Sequence, residues 1–428
     1  MKMKIKILGG GREVGRAGYQ ISTKQSNVLL DYGIKIEPYG IEYPQRPDVN
    51  IDAIVLSHAH MDHSGLIPSL YGKSTPNLYL TTPTLDICDI LWRDAMKIAR
   101  LEDRRPEYNK EQCKIAESKV KKMNYRKPTK IAKDMSLTFY DAGHILGSGM
   151  PLLETKEGNV LYTGDFKGDE TRLHFGADYD IDKDIGVLMI ESTYGDRDHP
   201  DRTKIEREFV KSIKKIIDSG GSVLIPSFAL GRAQEILGII AEENFDVPLY
   251  LDGMGQKVSN VYLQYPNYFK EAYNLRQAMN KVIKVKTQKQ REELVKKQAI
   301  IVTTAGMVEG GPVLYYFKKL CRNSDNAIYL TGFQVQETKG DILLKESEIE
   351  IDGGLFKWAG EIKKFDFSAH AGRNNLFQVM SAWNPELVVC IHGDDSVMQG
   401  YVKKIEEDLG LKAIAPKNGQ VIEYHKKK

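Results

Sequence analysis

The sequence predicts an α/β protein in which one α/β domain is inserted between the two halves of another domain. Its 428 residues are enough for more than one core. Short strands and glycine-rich turns dominate residues 1–200 and return after residue 355, whereas helices and strands alternate between them. Such alternation indicates a parallel sheet covered by helices. The predicted boundaries are therefore 1–200 and 356–428 for the outer domain and 201–355 for the insertion.

The outer domain begins with short apolar runs. They predict early strands at Lys4–Leu8, Tyr19–Ser22, Val28–Leu30 and Ala53–Leu56. Apolar residues at helical spacing then predict two helices between Thr84 and Lys122, separated at Pro106, because proline interrupts a helix. Further strands are predicted at Leu137–Tyr140, Val160–Tyr162 and Val187–Ile190.

The inserted segment begins with a predicted helix, Thr203–Ser219. Its strands are predicted at Ser222–Pro226, Pro248–Leu251, Ala299–Thr303 and Ala327–Leu330. Helices are predicted after Gly231 and in the glycine-rich stretch Gly306–Leu320. Ligands of parallel α/β sheets gather at the carboxyl ends of the strands, so the loops after these strands are candidate binding loops.

Composition excludes several classes of protein. No apolar run approaches the roughly 20 residues that span a bilayer, and the first residues lack the apolar region of a signal peptide. The four cysteines form no CxxC pair and are expected to be buried thiols. A net charge of +3 does not indicate a partner. We expect a soluble, cytoplasmic protein with no membrane partner.

A cluster of metal-ligand residues follows the strand that ends near Leu56. The segment His58-Ala-His60-Met-Asp62-His63 holds four candidate ligands in six residues. Residues two apart project to one side of an extended backbone, so His58 and His60 can bind one metal. Asp62 and His63 can bind a second metal nearby. Imidazole and carboxylate together favour zinc over iron and manganese.

Five further apolar runs each end in an acid or a histidine. The residues at or just past these strand ends are Asp31, His144, Asp165, Glu191 and His392. The chain has only nine histidines, and five of them fall on this pattern or in the cluster, with His370 in a similar context. A histidine at one strand end is usually structural, but this concentration predicts a two-metal hydrolase site at the rim of a β-structure.

With these residues assembled, the sequence resembles the metallo-β-lactamase fold, whose signature is HxHxDH. Asp31, His144, Asp165 and His392 match the remaining metal motifs of that family in order. Three further motifs narrow the resemblance to the β-CASP nucleases: Glu191-Ser-Thr-Tyr-Gly195, Phe367-Ser-Ala-His370 and Ile391-His-Gly393. The chain looks most like the short archaeal homologues of the cleavage and polyadenylation nuclease, which are related to RNase J. The resemblance implies an αββα sandwich with an inserted Rossmann-like β-CASP domain.

The resemblance also implies a role for each site residue. One zinc ion would be held by His58, His60, His144 and Asp165, and the other by Asp62, His63, His392 and the bridging Asp165. Asp31 would orient ligands, and we count it with Asp62 among the catalytic residues. Glu191 would hold the ring of His370, and His370 would protonate the departing oxygen. Two Zn²⁺ ions per chain are therefore expected.

The predicted activity is hydrolysis of RNA phosphodiester bonds, by endonuclease action with some 5′-to-3′ exonuclease action. Phosphate is expected to contact the loops of the insertion, at Ser227, Arg232, Thr304, Gly306 and Gly332. The expected partners are single-stranded RNA, a second copy of the chain in a homodimer, and proteins of RNA processing or decay.

Two alternatives remain open. Another hydrolase of the same fold, acting on a small molecule or on DNA, would share HxHxDH. Small-molecule enzymes of this fold need neither Glu191, His370 nor the insertion, and DNA-specific relatives have valine in place of His392. A catalytically inactive scaffold would have lost ligands, whereas this chain retains every one.

Overall fold

The computed structural model describes residues 2–37, 40–72 and 75–426, and these fold into two compact units. The first unit comprises Met1–Glu170, Phe175–Asp198 and His370–Lys428, and the second comprises Thr171–His174 and His199–Ala369. The chain is mixed α/β, as predicted, with one part inserted into the other. No helix within the described ranges is long and apolar enough to cross a membrane.

The first unit contains two seven-stranded sheets. In spatial order, the strands of the first sheet are Val421–Tyr424, Met3–Gly9, Gly18–Ser22, Asn27–Leu30, Ala53–Val55, Asn77–Thr81 and Val120–Met123. Those of the second sheet are Ala413–Ile414, Leu387–Ile391, Val187–Glu191, Val160–Tyr162, Gly149–Thr155, Met135–Asp141 and Thr129–Lys130. A small hairpin pairs Lys35–Glu37 with Gly40–Glu42.

The two sheets pack face to face, and helices cover them. Alternation along Val187–Glu191 shows the layering, because Val187 and Met189 join the core between the sheets, whereas Leu188 and Ile190 pack against helices. The helices of this unit are Met61–Ser64, Thr82–Leu101, Lys110–Ser118, Arg373–Trp383 and Asp395–Leu409, with a 3₁₀ turn at Ile67–Leu70. The arrangement is the predicted αββα sandwich.

The second unit is a six-stranded, all-parallel sheet. Its strands are, in spatial order, Ile283–Lys284, Leu249–Asp252, Ile300–Thr303, Val223–Pro226, Ala327–Leu330 and Glu361–Lys364. Its helices are Arg202–Asp218, Arg232–Glu242, Gly255–Tyr262, Ala272–Lys281, Gln288–Leu294, Pro312–Leu320 and Lys339–Glu346, with a 3₁₀ turn at Pro266–Tyr268. A hairpin pairs Glu348–Ile351 with Gly354–Lys357.

The structure differs from the sequence-based description at two places. The second predicted helix ends at Ser118, and Val120–Met123 is an edge strand that pairs in parallel with Asn77–Thr81. The second unit extends to residue 369 rather than 355, because Glu361–Lys364 pairs with Ala327–Leu330. The glycine-rich loop and helix predicted within Gly306–Leu320 are present, with the helix at Pro312–Leu320.

Candidate metal centre

The candidate metal ligands meet at one end of the first unit because their strands run in parallel. Val160–Tyr162, Val187–Glu191 and Leu387–Ile391 are parallel neighbours, so the residues that follow or end them lie side by side. Asn27–Leu30 and Ala53–Val55 are parallel neighbours in the other sheet. Strand ends of both sheets therefore deliver all the predicted metal-site residues to one place, where they form two groups.

The first group consists of His58, His60, His144 and Asp165, as the resemblance implied. His60 Nδ1 lies 3.1 Å from His58 Nε2 and 3.1 Å from His144 Nε2. Asp165 Oδ2 lies 3.4 Å from His58 Nε2 and 3.5 Å from His144 Nε2. Ligands at about 2.0–2.1 Å around a tetrahedral zinc ion are separated by about 3.3 Å. These four atoms fit one such ion.

The second group consists of Asp62, His63, His392 and again Asp165. Asp165 Oδ1 lies 3.2 Å from His63 Nε2 and 3.4 Å from His392 Nδ1. Asp62 Oδ2 lies 3.3 Å from His392 Nε2. The two oxygens of Asp165 thus face different groups, which is the geometry of a bridging carboxylate.

Unsatisfied buried atoms support a cation at the second group. Among the described residues, His63 Nε2, His392 Nδ1 and Asp165 Oδ1 are buried without a hydrogen-bond partner, although they lie close together. Burial alone would lower the pKa of His63, but the charges of Asp165 and Asp62 raise it well above its ordinary value. The site therefore carries excess negative charge, which a metal ion would balance.

The histidines of the first group are suited to bind a metal as neutral ligands. Burial is the largest influence on each, and it lowers the pKa of His58, His60 and His144. The pKa of His60 falls to about 3. A neutral imidazole offers a nitrogen lone pair to a metal at neutral pH.

Asp31 lies outside both groups and organises them. Its carboxylate is fully buried and accepts hydrogen bonds at 2.7 Å from His63 Nδ1, from Tyr162 OH, and from both the amide and the hydroxyl of Ser57. The Ser57 hydroxyl lies 3.0 Å from His58 Nδ1. Asp31 therefore orients one histidine of each group, His63 directly and His58 through Ser57.

Asp31 and His392 both have a left-handed backbone, with φ of 54° and 50°. Few residues other than glycine adopt this region. Backbone hydrogen bonds to neighbouring strand ends hold both conformations, since the Asp31 amide donates to the carbonyl of Val55 and the His392 amide donates to that of Gly10. The strained conformation turns each side chain into the site at the end of its strand.

Glu191, which is buried, and His370, which is partly exposed, form a hydrogen-bonded pair beside the candidate metal ligands. His370 Nδ1 lies 2.9 and 3.0 Å from the two Glu191 oxygens, and its Nε2 lies 3.9 Å from Asp165 Oδ2. Burial alone would lower the pKa of His370, but the charges of Glu191 and Asp165 raise it to about 9. The two carboxylates therefore favour the protonated ring, and Nε2 is directed towards Asp165 of the ligand groups.

Three supporting residues were not identified from the sequence. Ser57 directly precedes the HxHxDH motif, and its position before the first histidine was the available signal. Tyr162 ends an apolar strand and looked like a core residue. Lys167 is buried, and its ammonium donates to the carbonyl oxygen of His370 at 3.1 Å. A buried lysine two residues past a metal ligand has no distinguishing sequence pattern.

The predicted phosphate-contact residues lie in the second unit, at the carboxyl edge of its sheet. Ser227 is buried, and its hydroxyl lies 3.2 Å from that of Thr331. Arg232 is also buried, and its Nη1 donates to Glu235 at 2.6 Å. A phosphate contact by Arg232 would have to compete with that ion pair. Thr304, Gly306 and Gly332 lie in the loops of the two neighbouring strands.

Known families match three separate segments of the chain. A Metallo-beta-lactamase superfamily domain matches residues 20–180, and a Beta-Casp domain matches residues 233–343. A Zn-dependent metallo-hydrolase RNA specificity domain matches residues 358–416. A crystal structure of a protein of unknown function from Enterococcus faecalis V583 shares the fold, with a TM-score of 0.62 at 16% identity over 99% of this chain and 100% of that one.

Several archaeal proteins are similar to this chain over two thirds or more of their own length. The Probable RNase MJ4 of Methanocaldococcus jannaschii is 39% identical, covering 98% of this chain and 100% of that one. The RNase aCSPSF2 of Saccharolobus solfataricus is 34% identical, and the match covers 99% of this chain and 85% of that one. The Transcription termination factor FttA of Methanothermobacter thermautotrophicus is 35% identical, and the match covers 92% of this chain and 67% of that one.

Proposed function

We infer the function from one premise: the chain belongs to the Beta-Casp group of the metallo-beta-lactamase superfamily and is a metal-dependent ribonuclease. On this premise we propose that it holds two zinc ions and hydrolyses phosphodiester bonds of single-stranded RNA, with His370 as the general acid. The single observation that carries the proposal is the shared Asp165 beside the Glu191–His370 pair.

The residues of the two groups would hold one zinc ion each, with Asp165 common to both. When bound, two zinc ions lower the pKa of water and neutralise charge on phosphoryl oxygens. Asp31 keeps the ring nitrogens of His63 and His58 in position for this task, because its hydrogen bonds fix which nitrogen carries the proton.

His370 would supply the proton that the leaving oxygen needs. Glu191 accepts from Nδ1–H, so the proton on Nε2 is the one directed towards the substrate. The negative charge of Glu191 also favours the protonated ring. After water attacks phosphorus, transfer of this proton to the 3′-oxygen leaves 3′-hydroxyl and 5′-phosphate ends.

His370→Ala tests the mechanism with two substrates. RNA cleavage is expected to slow by about 10²–10⁴-fold, because the leaving alkoxide is no longer protonated. A nitrophenyl phosphodiester has a good leaving group and should be hydrolysed at nearly the wild-type rate. Elemental analysis should find two zinc ions per chain in both proteins. Equal losses on both substrates would show that His370 is not the general acid.

The other candidates make different predictions in the same assay. A small-molecule hydrolase would leave RNA intact, a DNA enzyme would prefer DNA of the same sequence, and an inactive scaffold would cleave neither. A homodimer, partners in RNA processing or decay, and a cytoplasmic location stay predictions. Light scattering of the purified protein measures whether it is a homodimer.

A further inference from the structure

Phe228 lies at the carboxyl edge of the parallel sheet of the second unit. It follows the central strand Val223–Pro226 after one residue and is only half-buried, whereas all four residues of that strand are buried. The neighbouring strands on either side, Ile300–Thr303 and Ala327–Leu330, lead into the loops that carry Gly306 and Gly332. One partly exposed aromatic ring is thus placed between two glycine loops.

Both glycines are in contact with this phenylalanine. A Cβ atom at Gly306 would lie 2.8 Å from the Phe228 amide nitrogen and 3.0 Å from ring atom Cδ2. A Cβ atom at Gly332 would lie 2.7 Å from ring atom Cε2. A side chain at either position would displace the ring, so the two glycines are explained by Phe228.

Gln334 joins the two glycine loops that contact the ring. Its side chain is buried, and Nε2 donates to the carbonyl oxygens of Gly306 and Gly332, each at 3.2 Å. Gly340 leaves space for the side-chain oxygen of Gln334, because a Cβ atom at Gly340 would lie 1.7 Å from Gln334 Oε1. The ring therefore rests on loops that are already tied together before any ligand binds.

The position of the ring favours a ligand rather than a role in the core. Ligands of parallel sheets bind at this edge. The helix Arg232–Glu242 also begins here, since the Ala233 amide donates to the Phe228 carbonyl. An aromatic ring beside the positive end of a helix suits a ligand with both a flat base and a phosphate.

We propose that Phe228 is a stacking platform for one nucleobase of single-stranded RNA. The proposal rests on the proposed function, which makes RNA the substrate, and it names a binding residue that phosphate recognition alone would not require. Because every base has a flat aromatic face, the platform accepts any base. The contact would strengthen RNA binding by roughly 5- to 150-fold, as stacking on a protein aromatic ring generally does.

Two substitutions in the metal-loaded protein separate the aromatic ring from its bulk. Phe228→Leu keeps an apolar side chain on the two glycines but removes the ring, and should raise the KM for single-stranded RNA by roughly 5- to 150-fold. Phe228→Tyr keeps the ring and should leave KM close to wild type. Phe175→Leu is the control, because it removes a phenylalanine that is 46% exposed and lies elsewhere in the chain.

An abasic oligomer of the same length, used as a competitive inhibitor, completes the test. Its inhibition constant should be the same for wild type and Phe228→Leu, because it has no base to stack. A wild-type KM for Phe228→Leu, or equal weakening of the base-bearing and abasic chains, would overturn the proposal. Turnover of a nitrophenyl phosphodiester reports whether the metal centre is intact. If the wild-type protein fails to cleave RNA, the proposed function fails instead.

Discussion

Asp31 accepts four hydrogen bonds. One of them comes from the hydroxyl of Ser57, which also contacts His58, so Ser57 acts as a relay between Asp31 and His58. The Ser57 hydroxyl has one hydrogen, which it donates to Asp31 Oδ2, so it must accept from His58 Nδ1–H. This arrangement leaves the Nε2 lone pair of His58 directed towards His60 and Asp165. The protonation pattern of His58, a candidate metal ligand, is thus fixed by a residue outside both ligand groups.

Ser57→Ala should weaken one metal site more than the other. The substitution leaves the buried His58 Nδ1–H without its acceptor, whereas His63 keeps its direct bond to Asp31. Zinc affinity of the group containing His58 should fall by about 10- to 100-fold, and that of the other group should change less. Titration against a chromophoric zinc chelator measures both affinities.

The control for this prediction is Ser26→Ala. Ser26 is also buried, and within the described residues its hydroxyl has no hydrogen-bond partner, so its loss should change neither affinity. If Ser57→Ala weakened both sites equally, or neither, Ser57 would not be the relay to His58.

At the scale of elements, the three residues Asp165–Lys167 connect the candidate metal ligands to His370, the proposed general acid. Asp165 belongs to both ligand groups. The Phe166 amide donates to Glu191 at 2.7 Å, and the Phe166 carbonyl accepts from the Ala371 amide at 2.7 Å. Lys167 donates to the carbonyl of His370. One short segment therefore sets the distance between the candidate metal ligands and His370.

Lys167→Met should disturb the placement of His370 without removing the metals. Methionine fills similar space but cannot donate to the His370 carbonyl. We expect kcat for RNA to fall by about 10- to 100-fold, because small misplacements of a catalytic group have effects of this size. Zinc content and nitrophenyl phosphodiester hydrolysis should stay near wild type.

Lys183→Met provides the matched control, since Lys183 is exposed and pairs with Glu154 on the surface. It should leave every parameter unchanged. If Lys167→Met instead raised KM and left kcat unchanged, Lys167 would contact RNA rather than position His370.

The elements that deliver ligands were predictable from the sequence because each combines an apolar strand with a polar residue at its end. Val160–Tyr162 before Asp165 and Val187–Glu191 are examples, and both strands formed where expected. Val120–Met123 was not predictable, because two of its four residues are exposed lysines and its identity depends on pairing with Asn77–Thr81. Edge strands of this kind are defined by their partners rather than by their own residues.

The supporting residues were less predictable than the ligands for a similar reason. The histidines stand out because histidine is rare in this chain. Ser57 and Gln334 are ordinary polar residues, and their importance comes from what lies opposite them in the fold. Arg232 shows the reverse case, because its sequence context suggested a phosphate contact and the structure gives it Glu235 as a buried partner.

At the scale of the whole molecule, the two units have different tasks in the proposed reaction. All the candidate metal ligands and the Glu191–His370 pair lie in the first unit. Phe228 and its glycine loops lie in the second. The proposed chemistry therefore belongs to the first unit and the proposed base contact to the second. Substitutions at the candidate metal centre should change kcat, whereas substitutions at Phe228 should change KM.

The choice between endonuclease and exonuclease action depends on what the site requires of its substrate. The Asp62 side chain is 32% exposed and that of His370 is 22% exposed, so the edge where the reaction would occur is open to solvent. Recognition through one stacked base and a phosphate needs an unpaired strand but no chain end. We therefore expect endonuclease cleavage first, with 5′-to-3′ trimming afterwards.

Circular single-stranded RNA tests this expectation, because it has no end to enter the site. The metal-loaded protein should convert the circle into linear fragments with 5′-phosphate and 3′-hydroxyl ends, at a rate similar to that for the linear form. The same circle annealed to its complement is the control and should be cut slowly, because paired bases cannot stack on a protein ring. If the unpaired circle survives while its linear form is degraded to nucleotides, the enzyme is an exonuclease, and the site must select chain ends by contacts other than those described.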